Sequence, residues 1–178
     1  MKKNAIFICS GFILAVVLSL VFGFIHIPHE VLVNVYFWGH NNWWPVQRLV
    51  IRQMVKQADT VQDLSIISVY TRWISLETGD QIHPKEQIAI LKKMLKIATR
   101  NPECPYFERF SGPAYEQSAM QLALRWGLEI LTTRNPKDHQ KIKNMIAKYY
   151  KQYRVAYTPN DEEKLFAKEI AEKKFGEL

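Results

Sequence analysis

At 178 residues the chain has room for one membrane segment and one domain of roughly 130 to 150 residues, enough to bury a core of its own. Its formal charge of +7 is spread along helix-like stretches without a recognition motif, so no nucleic acid partner is expected and anionic lipid headgroups or acidic glycans are nearer ones. Of the two cysteines, Cys9 falls in an apolar stretch and Cys104 in a polar one, which excludes an internal disulfide framework.

Residues 1–4 carry Lys2 and Lys3, and residues 5–25 follow as 21 residues without a charge. Such a run spans about 32 Å as a helix, against a bilayer core of about 30 Å. A cleavable signal is shorter and ends in small residues, whereas here Phe24, Ile25, His26 and Ile27 stand at the end. The segment therefore reads as a retained transmembrane helix. Lys2 and Lys3 before it, with no Lys or Arg after it until Arg48, place the amino terminus in the cytoplasm and the remainder in a bacterial periplasm. Gly11, Ala15, Ser19 and Gly23 recur at every fourth position. Small residues let membrane helices approach closely, so this stripe is expected to pack against other membrane protein subunits.

Residues 26–44 form an aromatic juxtamembrane segment in which Tyr36, Trp38, Trp43 and Trp44 are expected to anchor at the headgroup level of the lipid bilayer. His26, His29 and Glu30 in "HIPHE" are read as solvated interfacial groups. Pro28 interrupts the helix that would put two imidazoles on one face, so no metal and no cofactor is expected.

Residues 45–178 read as an all-helical periplasmic domain, which makes the expected fold all-α with one N-terminal transmembrane helix. Pro45 is a good first-turn proline; Val46, Leu49, Val50 and Met54 share one face opposite Arg48, Arg52 and Lys56. Thr60 and Asp63 form a capping box with Asp in place of Glu, opening a helix predicted to stop near Gly79. His83 and Pro84 begin the next, with Ile88, Leu91, Leu95 and Ala98 as its stripe. A longer helix is predicted from Ser111–Pro113 to Thr133. Asn135, Pro136 and Asp138 open another that ends near Tyr157, and Thr158, Pro159 and Asp161 open the last.

Within this domain "IAILKKMLKIATRNP" from Ile88 and "LALRWGLEILTTRNP" from Leu122 align without gaps at an offset of 34 residues. That period resembles tetratricopeptide repeats, helical hairpins whose stacking builds a concave binding surface. The resemblance covers residues 68–150 at most and lacks the Trp, Gly and Tyr signature of the family. In each copy the "RNP" tripeptide is expected to punctuate a helix junction, with Asn capping the coming helix and Pro in its first turn.

The sequence carries no C-x-x-C-H, H-E-x-x-H, G-x-S-x-G or Walker A pattern, and the chain is expected to be non-catalytic. Two partner-binding candidates remain. One is the broken segment 102–113, with Tyr106, Phe107 and Arg109 beside Glu103, Cys104 and Glu108, read as a docking loop. The other is the helix bearing Lys137, Lys141, Lys148 and Lys151 with Tyr149 and Tyr153, since cations beside aromatic rings suit a phosphate-bearing polymer, a sugar or a protein groove. Together these features lead to the expectation of a single-span subunit or assembly factor of an envelope protein complex. The second expectation is an accessory protein that holds an anionic envelope glycan or lipid, since helical periplasmic appendages of glycan polymerases and oligosaccharyltransferases are similar in kind.

Overall fold

A computed structural model describes residues 27–42, 44–71, 83–102, 105–108 and 115–174. The predicted span 5–25 and its stripe Gly11, Ala15, Ser19 and Gly23 lie outside the described residues, as do Trp43, Cys104 and Arg109. Among the described residues no helix is long and apolar enough to cross a membrane. Among the described residues the architecture is all-α apart from one pair of short antiparallel strands, and the chain divides after Gln57 into two compact units.

In the first unit, α1 (His29–Asn42) starts directly after Pro28, whose carbonyl accepts from the amides of Val31 and Leu32. It packs against α2 (Trp44–Gln57), which Pro45 opens as expected from its fixed φ. Val50, Ile51 and Met54 are buried while Arg48, Arg52 and Lys56 stay exposed, the stripe that the 3.6-residue period dictates. Tyr36, expected in the headgroup layer, is only 3% exposed here, and its carbonyl accepts from the Gln47 amide at 3.4 Å.

The second unit begins with the capping box read from the sequence. The Asp63 amide donates to the Thr60 hydroxyl at 3.0 Å and the Thr60 amide to the Asp63 carboxylate at 3.2 Å, opening α3 (Val61–Thr71). Pro84 stands in the first turn of α4 (Pro84–Arg100), whose buried stripe runs through Ile90, Leu91, Met94, Leu95 and Ala98. Gln87, itself 1% exposed, donates its side-chain amide to the carbonyl of Thr71 and ties α4 to the last described turn of α3.

The next stretch departs from expectation. Residues 115–118, predicted to be helical, instead form β2 (Tyr115–Ser118), antiparallel to β1 (Pro105–Glu108) with Pro105 opposite Ser118 and Glu108 opposite Tyr115. The following helix, α5 (Ala119–Thr132), starts only after Ser118, whose hydroxyl accepts from the Gln121 amide at 3.0 Å. Pairing with β1 keeps residues 115–118 extended, so the cap falls on Ser118 and not in the predicted Ser111–Pro113. The tetratricopeptide resemblance is corrected by the same finding. Its two aligned segments are α4 and α5, which pack on one another, but the described residues between them are strands where a repeat needs a second helix. The "RNP" reading changes as well. Asn101 terminates α4, its amide donating to Ile97 at 2.8 Å, and leads towards β1, while the Asn135 carbonyl accepts from the Thr133 hydroxyl before α6 begins at His139.

Helix α5 is apolar around most of its circumference, with Met120, Ala123, Leu124, Trp126, Ile130 and Leu131 all buried, and so becomes the centre of the unit. Against it pack α4, α6 (His139–Ala156) and α7 (Asp161–Glu172).

Candidate functional site

Two amphipathic helices on the outside of α5 create the site. In α6 the core side is Ile142, Ile146 and Tyr153, all buried. One neighbouring face therefore presents Lys143, Ala147, Tyr150, Lys151 and Arg154 at spacings of three, four and seven. In α7 the core side is Glu163 and Ile170, and Lys164, Ala167, Lys168 and Ala171 face α6. Between the two helices lies an open cleft of about 1090 Å³. Alanine and isoleucine side chains form its floor and five cations, Lys143, Lys151, Arg154, Lys164 and Lys168, stand along it.

The walls are held at both ends. Lys143 donates to the carbonyls of Ala171 at 3.2 Å and Lys173 at 3.3 Å, satisfying the open C-terminal turn of α7 with a favourably placed cation. At the other end sits a buried polar hub. Glu163 is 0% exposed, and its carboxylate accepts from the Tyr153 phenol at 3.1 Å, the Asn160 amide at 3.0 Å and the Ser118 hydroxyl. Reciprocally, the Glu163 amide donates to the Asn160 side chain at 2.9 Å, so one residue completes the capping box of α7 and also joins α6 to the cap of α5. Gln121 extends the network by donating to the Glu162 carboxylate.

Burial, followed by the Glu163 carboxylate and its hydrogen bond, pushes the Tyr153 phenol well above the ordinary value of about 10. Tyr153 thus stays neutral in the fold where it would ionise in the unfolded chain. Its contribution is complete below pH of about 10 and is lost as pH rises above that value, because the unfolded state then binds fewer protons. Tyr153→Phe is accordingly expected to lower stability by about 1–2 kcal/mol at neutral pH and to flatten the alkaline loss. Urea unfolding near pH 8 and near pH 11 measures both, and an alkaline loss as large in the variant as in the parent would refute the assignment.

The cations differ in their engagement. Lys164 pairs with Asp161 at 2.9 Å and Lys168 with Glu172 at 3.8 Å, both on exposed turns of α7. Such pairs contribute about 0.3–0.5 kcal/mol each and exchange readily for an incoming anion. Arg154 lies 6.0 Å from the centre of the Tyr150 ring, whose phenol burial raises while Arg154 opposes the shift. The ring therefore offers a neutral hydroxyl donor and a π-face beside a guanidinium.

Of the residues singled out in the sequence, the structure brings Lys151 to the cleft. Lys137, Lys141 and Lys148 are exposed and do not line it; Lys141 instead approaches Asp138 at 3.9 Å. Tyr149 is half-buried, and Tyr153 belongs to the hub. Tyr106 and Phe107 lie on β1, and Trp38 and Trp44 lie on α1 and α2. Sequence reasoning missed Lys143, Arg154, Lys164, Lys168 and Glu163. The i, i+4 and i, i+7 recurrence of Lys143, Ala147, Tyr150 and Arg154 was a usable signal, but its counterpart on α7 lies across a helix junction. Comparison of the chain with protein-family models, with curated proteins and with solved structures finds no match.

Proposed function

We propose that the chain is a non-catalytic subunit or assembly factor of a bacterial envelope complex. It is tethered through residues 5–25 with its amino terminus in the cytoplasm, and its helical unit serves as a docking platform on the periplasmic side. The observation that supports this reading is the cation-lined cleft between α6 and α7. Burial raises the Tyr150 phenol, so it stands in the cleft as a hydrogen-bond donor beside the cations. The small-residue stripe Gly11, Ala15, Ser19 and Gly23 supplies a second contact within the membrane.

The test is isolation of the full chain from its native membrane in mild detergent, followed by sizing. The expected result is migration well above the 20.9 kDa chain in its micelle. Lys151→Glu with Arg154→Glu, and separately Gly11→Leu with Gly23→Leu, are each expected to shift the chain to the monomer position. A parent that already runs as a monomer with nothing co-migrating would dispose of the proposal.

The same five cations favour a second reading, an accessory protein that holds an anionic glycan or lipid headgroup. Charge reversal would then abolish retention of the purified chain on anionic vesicles or glycan and leave its migration in detergent unchanged.

A further inference from the structure

We infer that the occupant of the α6–α7 cleft is an acidic amphipathic helix of a partner protein, a deepening of the docking reading that rests on it. The shape suits such an occupant. Two helices flank a shallow trough whose floor includes Ala147, Ala167 and Ala171, and small side chains there let a third helix approach closely, as in helix-in-groove recognition. The α7 wall of the trough runs from Lys164 to Ala171, about 12 Å or about two turns of an occupant. Val155, at one end of the trough, is 86% exposed, an apolar side chain that a partner's apolar stripe would cover.

Charge selects the chemistry. Among the described residues that line the cleft there are five cations and no carboxylate. The carboxylates of α7 stand outside the lining: Asp161 and Glu172 pair with Lys164 and Lys168 on its exposed turns, Glu162 accepts from Gln121, and Glu169 is exposed. A flat anionic bilayer resting on this region would meet those carboxylates as well as the cations and be repelled by them. A narrow helix seated in the trough meets chiefly the lining, where its glutamates add to the partners of Lys151 and Arg154 and compete with Asp161 and Glu172 for Lys164 and Lys168. A second copy of the chain is less suited, because a charge of +7 on each copy opposes association.

The experiment uses the full chain in mild detergent and fluorescein-labelled peptides of about 14 residues. One peptide places leucines at i, i+3, i+4 and i+7 with glutamates flanking them. A second has the same composition with the leucines scattered around the helix, and a third replaces every glutamate by lysine. Fluorescence anisotropy is expected to show the first peptide binding in the micromolar range, at least about ten-fold tighter than the scattered one, and weakening as NaCl is raised. Lys151→Glu with Arg154→Glu should weaken it about ten-fold and create affinity for the lysine peptide, a gain that a misfolded variant would not show. Equal binding of the scattered peptide, no peptide binding, displacement of the peptide by anionic phosphatidylglycerol vesicles, or self-association that excludes it would each overturn the inference. If charge reversal still dissolves the native complex while no peptide binds, docking stands and the acidic helix falls. If the parent chain has no complex to lose, the docking reading falls first.

Discussion

Glu163→Ala is expected to destabilise the helical unit by about 3–5 kcal/mol, which lowers its melting temperature by about 10 °C or more. The substitution removes the acceptor shared by the Tyr153 phenol, the Ser118 hydroxyl and the Asn160 amide. The buried Tyr153 phenol is left as a desolvated donor at a cost of about 1–3 kcal/mol, the part-buried Ser118 and Asn160 donors lose less, and the losses are not simply additive because water enters the space vacated. Glu163→Gln keeps one acceptor oxygen but turns an amide donor towards donors, and about half the loss is expected. Because the three donors belong to the cap of α5, the body of α6 and the cap of α7, the same change loosens the walls of the cleft. Thermal melting followed by circular dichroism measures the effect; an alanine variant melting within about 2 °C of the parent would show that the hub does not join the helices.

The second large effect is expected at Gly127, on the buried side of α5. A Cβ there would stand 2.8 Å from Ile146 Cδ1 of α6 and 3.7 Å from Leu91 Cδ1 of α4, so side chains of both helices close directly on this glycine. Gly127→Ala meets the far end of a flexible side chain that can turn aside. The residual crowding is offset by the better helix propensity of alanine, and the net change is expected within about 1 kcal/mol. Gly127→Leu has no such escape, because its added carbons need room that Ile146 and Leu91 occupy. It is expected to destabilise by about 3 kcal/mol and to move α6 relative to α5. Urea midpoints for the two variants decide the matter, and a leucine variant as stable as the alanine one would mean that the helices are not closely packed there.

Much of the local architecture was legible because it depends on neighbours in the chain. Thr60 and Asp63 cap α3 through atoms three residues apart, and Pro45 and Pro84 open helices because their φ is already helical. The segment 102–113 read as too broken for a helix, and Pro105–Glu108 is a strand. The cleft was only partly legible. Lys151 was among the candidates, yet Lys137, Lys141 and Lys148 were grouped with it although Lys137 precedes α6 and Lys141 and Lys148 do not line the cleft. Glu163 was not singled out, although it stands three residues after Asn160 at capping-box spacing; its bonds to Ser118 and Tyr153 have no local signature.

The sequence alone determined a helical chain, much of the apolar stripes of α2 and α4 and most of the helix starts, since periodicity and capping act within about four residues. Only the tertiary structure decided that Ser118 rather than Ser111 begins α5, that residues 105–108 and 115–118 pair as strands between the two aligned helices, and that α6 and α7 bring five cations to one cleft. These outcomes turn on partners far away in the chain, such as Ser118 and Glu163 at a separation of 45 residues. Such contacts form because burying Glu163 requires several donors at once, and no single segment carries them all.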